Sequence, residues 1–120
     1  MPDIVSSLAE QYAADFTSPE DDLLRKIAEE TKQNHPHAHM LSGHVQGKFL
    51  SLVSSLVRPL RILEIGTFTG YSALCLANGL GVDGVLHTIE LREEDAANAR
   101  AYFKASAHEK KIKLHNYLKK

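Results

Sequence analysis

The pattern of apolar and polar positions changes once along the 120-residue chain, near Pro59. Before that residue, apolar side chains recur three and four positions apart, which is typical of amphipathic helices. This spacing predicts three helices, whose apolar positions fall within residues 4–12, 23–27 and 45–56. Ser18 is expected to cap the second helix, with Pro19 at its first position. The segment NHPHAHMLSG, residues 34–43, is predicted to be a loop because proline disfavours helix there.

After Pro59, short strand-like runs alternate with helical ones. The predicted strands are RILEI, VLHTIE and KIKLH, with helices at residues 71–80 and 92–107 between them. Alternating strands and helices predict an α/β fold with a parallel sheet and right-handed crossovers. The helix after Gly70 is apolar nearly all round, so we expect it to be buried between the sheet and the N-terminal helices, chiefly residues 45–56.

Composition excludes several classes of partner. The net charge is −1 and no Lys/Arg block with interleaved aromatics occurs, which argues against nucleic acid. No apolar run approaches the roughly 18 residues of a membrane span, and the acidic N-terminus does not resemble a signal peptide. Cys75 is the single cysteine, lies in an apolar helical run, and is predicted to be a buried hydrophobe in a reducing compartment. We therefore expect a soluble cytoplasmic protein.

The chemically informative stretch is ILEIGTFTGYSALCLA, residues 62–77. It places Glu64, Gly66 and Gly70 at the carboxyl end of the first predicted strand, and Glu90 ends the second. Ligands of open parallel sheets bind outside the carboxyl ends of the strands. Glu90 follows Gly66 by 24 residues, close to the spacing at which an acid accepts the hydroxyls of a ribose. These residues predict a nucleoside site in one crevice.

Phe68 narrows the class of nucleoside. In the dinucleotide pattern Gly-x-Gly-x-x-Gly, the middle glycine lets the backbone approach a pyrophosphate, whereas this turn has Phe68 in its place. The acids Glu64 and Glu90 also suit a ligand that carries a cation better than a polyphosphate. A nicotinamide-dependent oxidoreductase remains a less favoured alternative.

The same residues carry a resemblance to a known family. LEIGTFTGYSALCLA followed by HTIE resembles the first two motifs of class I S-adenosylmethionine-dependent methyltransferases, and more narrowly those of the caffeoyl-CoA/catechol O-methyltransferases. The segments MLSGHVQGKFLSLV and TSPEDDLL are similar to the N-terminal helices of that family, so the resemblance covers residues 12–115. It implies a Rossmann-like doubly wound parallel sheet, methyl transfer to a hydroxyl of a small phenolic or catechol-like acceptor, and a possible homodimer.

The resemblance also implies how the chain is organised. Residues 1–58 would supply the N-terminal helices and a loop that covers the cofactor. Residues 59–120 would supply the first β-α-β-α-β part of the methyltransferase domain, and the two parts would form one structural domain. Its cofactor-binding positions correspond here to Met40, Ser42, Glu64, Gly66, Thr67, Ser72 and Glu90.

Each position carries an implied role. Glu64 and the backbone at Gly66 and Thr67 would line the methionine end of S-adenosylmethionine. Ser72, at the start of a helix, would contact the carboxylate of the cofactor, and Glu90 would hold the ribose hydroxyls.

Met40 and Ser42 would close over the cofactor near the transferred methyl group. Read without the resemblance, Ser72 and Thr67 could simply cap a helix, and Glu90 could be an exposed acid at a strand end.

The resemblance further implies a divalent cation, usually Mg²⁺, that binds the acceptor oxygens. Its ligands in the family are an Asp in a motif like FIDADK after the fourth strand and an Asp-Asn pair after the fifth, and neither motif occurs here. We therefore assign no catalytic or metal-binding residue. We hypothesise that residues are missing between His115 and Asn116 and beyond Lys120, which would leave the first strand with an unpaired apolar edge. A non-catalytic cofactor-binding or interaction module is the alternative.

The histidines allow a second interpretation of the loop. His35, His37 and His39 alternate in HPHAH and could bind a metal, but no carboxylate or cysteine is close in sequence to complete a site. His39, beside Met40, could instead border the acceptor pocket. The remaining four histidines show no recognisable grouping.

Overall fold

The computed structural model describes residues 4–117, which form five α-helices and three β-strands. The elements before the sheet are α1 (Ser7–Asp15), α2 (Asp22–Asn34) and α3 (Gly43–Val57). The elements of the sheet region are β1 (Arg61–Ile65), α4 (Tyr71–Ala77), β2 (Val85–Ile89), α5 (Glu93–Lys104) and β3 (Ile112–His115). Short 3₁₀ turns occur at Ala38–Met40 and Glu109–Lys111. Among the residues described, no helix combines the length and the apolar character that crossing a bilayer requires.

The three strands form one parallel sheet in the order β1-β2-β3, so β2 is central. Leu86 of β2 pairs in register with Ile62 on one side and Ile112 on the other, which places these apolar side chains in a row on one face. This arrangement confirms the predicted α/β class with a Rossmann-like parallel sheet. Within residues 4–117, β1 pairs on one side only, and its Leu63 and Ile65 are 67% and 74% exposed. The predicted apolar edge is therefore present in this part of the chain.

The core is formed by the sheet and by buried residues of α2, α4 and α5. Five of the seven α4 residues are buried, and α3 packs against α4. The backbone of Gly47 lies against the α4 side chains, where an added Cβ would lie 2.7 Å from Tyr71 Cε1. Cys75 is 2% exposed, and burial raises the pKa of its thiol to about 12. The prediction that Cys75 is buried is confirmed.

The start of α2 differs from the prediction. The helix begins at Asp22, and the carboxylate of Asp21 accepts the Leu24 N–H at 2.8 Å. The proposed cap at Ser18 is therefore wrong, because the segment from Ser18 to Glu20 precedes the helix. A carboxylate at the N-cap satisfies a free N–H and also lies favourably in the helix dipole.

The apolar stripes of α1 and α3 are more exposed than their spacing predicts, whereas Leu24 and Ile27 of α2 are buried as expected. The α3 helix packs on α4 as expected, but it does so through Gly47 and Ser54, whereas Phe49 of the apolar stripe is 61% exposed. Small residues allow the close approach, and Ser54 Oγ donates to the Leu76 carbonyl at 2.5 Å. In α1, the helix begins at Ser7, so Ile4 precedes it.

Candidate cofactor site

A tight turn connects β1 to α4 at the carboxyl edge of the sheet. The φ angles of Gly66, Phe68 and Gly70 are all positive, at 93°, 53° and 96°. The N–H groups of Gly66 and Thr67 both donate to the carbonyl of Ile89, at 2.9 and 3.1 Å. These two bonds tie the turn to the end of β2, so the loops that follow the two strands form one unit.

The two glycines of this turn serve different purposes. An added Cβ on Gly66 would meet no atom within 4 Å, whereas one on Gly70 would lie 2.8 Å from Phe103 Cε1. Gly70 therefore permits the turn to pack on α5. Gly66 leaves open space above the backbone, as expected where a ligand approaches closely.

Glu90 follows β2 and is held from two sides. The Phe68 N–H donates to Oε1 at 2.7 Å and the Arg92 N–H donates to Oε2 at 3.0 Å. The residue is 9% exposed, so the alternative of a freely exposed acid is wrong. Each carboxylate oxygen can accept two hydrogen bonds, so each keeps an acceptor position for a ligand hydroxyl.

Glu64 lies at the centre of a hydroxyl network. Ser72 Oγ donates to Oε2 at 2.5 Å, Thr88 Oγ1 donates to Oε1 at 2.7 Å, and Thr67 Oγ1 lies 2.6 Å from Thr88 Oγ1. Burial raises the pKa of the Glu64 carboxyl, and the bonds from Ser72 and Thr88 partly offset this rise. The side chains of Ser72 and Thr67 thus support Glu64 rather than cap α4, where Gly70 occupies the N-cap position.

A small cavity of about 90 Å³ opens beside this network. Five of the seven predicted cofactor-binding residues line it, namely Met40, Ser42, Gly66, Thr67 and Ser72. Glu64 contacts the cavity through Ser72, and Glu90 lies across the turn on the Phe68 N–H. The structure brings the seven residues together, and their binding of a cofactor stays a prediction.

Other residues of the site were not singled out from the sequence. Thr88 faces Glu64 because the two residues are paired in register, so the two-residue alternation of β2 was the available signal. Asn116 Nδ2 donates to the Glu90 carbonyl at 2.8 Å, and Tyr71 OH donates to Glu20 Oε2 at 2.5 Å. Burial and the Glu20 carboxylate raise the pKa of Tyr71 well above its usual range.

The histidine-rich loop has a partner that its sequence does not reveal. His35 Nε2 lies 2.8 Å from Asp95 Oδ1 of α5, a carboxylate 60 residues away in sequence. His39 is exposed. Across residues 4–117, no group of three or more His, Cys, Asp or Glu side chains is arranged to hold a metal ion.

A second histidine grouping also departs from expectation. His87 Nδ1 lies 2.9 Å from His115 Nε2, with the two rings stacked on neighbouring strands. In the parallel register of β2 and β3, His87 is paired with Lys113 and His115 with Ile89. The two histidines are therefore diagonal neighbours on adjacent strands.

A larger cavity of about 760 Å³ lies between α2 and α5. His35, Thr69, Asp95 and Tyr102 are among its lining residues. It lies beside the helices rather than over the strand ends, where ligands of parallel sheets bind. We therefore assign the candidate site to the smaller cavity together with the neighbouring acids Glu64 and Glu90.

Comparison with known proteins identifies the family to which this chain is similar. Residues 13–117 match the sequence model of a family described as O-methyltransferase. A catechol O-methyltransferase of Niastella koreensis is 35% identical over 91 residues, which cover 76% of this chain and 41% of that protein. A caffeoyl-CoA O-methyltransferase of Stellaria longipes is 30% identical over 93 residues, covering 78% of this chain and 38% of that protein.

Solved structures agree with the sequence comparison. An O-methyltransferase from Bacillus cereus in complex with S-adenosylhomocysteine matches with a TM-score of 0.82 at 32% identity, over 92% of this chain and 50% of that one. The O-methyltransferase TomG from Streptomyces achromogenes, in complex with S-adenosylmethionine, matches with a TM-score of 0.80 at 33% identity, over 91% and 48%. The chain thus spans half or less of the length of these relatives.

Proposed function

The chain belongs to the O-methyltransferase family, and from this premise we propose that it forms the S-adenosylmethionine-binding part of an enzyme that methylates a hydroxyl of a small phenolic or catechol-like acceptor. The acceptor class rests on the sequence resemblance and on the names of the catechol and caffeoyl-CoA relatives. The observation that carries the cofactor assignment is Glu90, which two backbone N–H groups orient at the carboxyl edge of the sheet.

In this proposal the chain's own residues hold the two ends of the cofactor. Glu90 accepts the ribose hydroxyls at its two remaining acceptor positions, and the open space above Gly66 admits the amino-acid end. Met40 and Ser42, which also line the cavity, close over the cofactor. When bound, S-adenosylmethionine supplies a methyl group on a positively charged sulfur, which a nucleophilic oxygen attacks in line. Holding both reactants in that alignment contributes on the order of 7–11 kcal/mol to such reactions.

The resemblance implies a Mg²⁺ ion. The described residues contain no cluster of three or more candidate ligands, so they do not by themselves provide a site that fits this ion. The ion remains a prediction for a longer family member, and this chain alone is proposed to hold the methyl donor without metal-dependent turnover.

Calorimetric titration with S-adenosylhomocysteine tests the cofactor assignment, with NAD as the competing ligand. We expect saturable binding of S-adenosylhomocysteine and no binding of NAD, because Phe68 occupies the place where a pyrophosphate requires glycine. Binding of NAD without binding of S-adenosylhomocysteine would instead support a nicotinamide-dependent oxidoreductase.

A second assay separates an enzyme from a bare binding module. Methyl transfer to catechol is measured with and without Mg²⁺, using S-adenosylmethionine as donor. We expect this 120-residue chain to bind the donor without Mg²⁺-stimulated transfer. A rate that rises with Mg²⁺ would contradict the proposal that the chain lacks the metal site.

A further inference from the structure

Phe68 adopts a backbone conformation that its side chain disfavours. Its φ is 53°, in the left-handed region that is sterically unfavourable for a residue with a Cβ. The conformation nevertheless aims the Phe68 N–H at Glu90 Oε1, at 2.7 Å. Such a conformation persists only where the surroundings over-determine it. Neighbouring side chains must therefore hold Phe68 in place.

His35 provides one such contact. Its ring packs edge-on against the ring of Phe68, with centroids 4.5 Å apart and an interplanar angle of 65°. Aromatic pairs prefer this geometry. The contact links the end of α2 to the turn after β1. This turn contains the Phe68 N–H, which orients Glu90.

His35 is itself fixed at both ring nitrogens. Nδ1 accepts the His37 N–H at 2.9 Å, so the proton resides on Nε2, which donates to Asp95 Oδ1 at 2.8 Å. The side chains of His35 and Asp95 are 11% and 5% exposed. A buried carboxylate bonded to an imidazole fixes both the tautomer and the plane of the ring.

The contacts close into a ring around the candidate ribose site. Asp95 lies in the first turn of α5, which starts directly after Arg92, and the Arg92 N–H donates to Glu90 Oε2 at 3.0 Å. From Glu90, the path runs through Phe68, His35 and Asp95 back to Arg92. Both backbone donors of Glu90 are therefore connected through one buried His-Asp pair.

We propose that His35 and Asp95 are positioning residues for Glu90, holding its carboxylate ready to accept the ribose hydroxyls. The assignment rests on the proposed function, since it requires that Glu90 bind the cofactor. His35 and Asp95 line the larger cavity between α2 and α5 and not the small cavity beside Glu64. In this proposal the pair acts on Glu90 through Phe68 and the start of α5.

A double-mutant cycle on binding of S-adenosylhomocysteine tests this proposal. His35→Leu, Glu90→Ala and the double variant are titrated beside the wild type. We expect His35→Leu to weaken binding about tenfold, as when one charge-assisted hydrogen bond is lost. In the Glu90→Ala background, the same change should weaken binding by less than about twofold, because the positioned group is already absent.

Two further variants serve as controls. His35→Gln keeps a donor for Asp95, so we expect it to recover most of the lost affinity. His108→Leu removes another histidine bonded to a polar side chain, at 2.8 Å from Asn78 Oδ1, and should bind like the wild type. Unchanged affinity in His35→Leu, or an equal loss with and without Glu90, would overturn the proposal, since the pair would then not act through Glu90.

The failure of the proposed function has a different signature. A wild type that does not bind S-adenosylhomocysteine would overturn both assignments, whereas binding that is indifferent to His35 would overturn only the positioning role. If circular dichroism shows His35→Leu to be unfolded, the same cycle with Asp95→Asn decides, because that variant keeps the size of the side chain. The outcomes that support or contradict the proposal are the same as those for His35→Leu.

Discussion

The Ser72 hydroxyl donates to the Glu64 carboxylate at 2.5 Å, while Thr88 donates to its other oxygen at 2.7 Å. Burial outweighs these two bonds and raises the pKa of Glu64 above 4.5. The folded protein therefore holds a proton that the unfolded chain releases in the window just above pH 4.5. Stability from this group is present at acidic pH and falls as the pH rises through the raised pKa.

Glu64→Gln removes this titration. We expect the free energy of unfolding of the Gln variant, relative to that of the wild type, to increase with pH above 4.5. Ser72→Ala should extend the fall of stability to higher pH, because it removes a bond that favours the charged carboxylate. Urea denaturation at pH values from about 4 to about 8 measures both effects. Parallel curves for Glu64→Gln and the wild type would contradict this account.

Replacing Glu90 should affect binding directly. Glu90→Ala is expected to weaken binding of S-adenosylhomocysteine by about 1–3 kcal/mol, the cost of losing a charged acceptor. Titration calorimetry measures the affinity, and thermal unfolding checks the fold, because the carboxylate also accepts two backbone N–H groups. Glu29→Ala, an exposed acid of α2, is the matched control. Equal affinities for both variants would remove Glu90 from the site.

The two glycines of the turn should separate stability from binding. Gly66→Ala introduces the strain of a positive φ, roughly 1–2 kcal/mol. Gly70→Ala adds a clash with Phe103 at 2.8 Å, and overpacking costs a further ~1–3 kcal/mol. We therefore expect Gly70→Ala to lose more stability in urea denaturation. Among the variants that fold, Gly66→Ala should lose more affinity for S-adenosylhomocysteine, because its methyl group enters the open space above the turn.

The reverse order of stabilities would show that the strain at Gly66 exceeds the clash at Gly70. Unchanged affinity in Gly66→Ala would show that no ligand approaches the backbone there.

The start of α2 offers a matched pair of caps. Asp21→Ala removes the acceptor of the Leu24 N–H and should lower the free energy of unfolding by about 1 kcal/mol. Ser18→Ala should change it by less than about 0.5 kcal/mol, because the Ser18 contact with His44 uses the backbone carbonyl, which alanine retains. Thermal or urea unfolding decides, and a larger effect at Ser18 would contradict the observed helix start.

The sequence predicts those parts of the site that depend on local order. The strand, the turn and the helix from Glu64 to Ser72 follow from alternation, glycine and helical spacing within a few residues. Glu90 could be placed beside them because parallel strands end at the same edge of a sheet.

The features that the sequence did not predict depend on contacts between residues distant in sequence. Which face of α3 is buried depends on how closely α4 approaches, and this is decided by the small residues Gly47 and Ser54 rather than by the apolar stripe. The His35 and Asp95 side chains are 60 residues apart, so no local pattern joins them. The choice of Asp21 over Ser18 as cap reflects a competition between two good acceptors, which spacing alone does not resolve.

The order of the three strands has a consequence for local opening. The backbone of β2 is hydrogen-bonded to neighbours on both sides, whereas β1, in the described part of the chain, is bonded on one. Amide hydrogen exchange should therefore be faster in β1 than in β2. Glu64 belongs to β1 and Glu90 follows β2. A ligand that contacts both residues would therefore hold the edge strand against the central strand and protect the β1 amides from exchange. Cofactor binding would then slow exchange most in β1, which makes the ligand part of what keeps this strand closed.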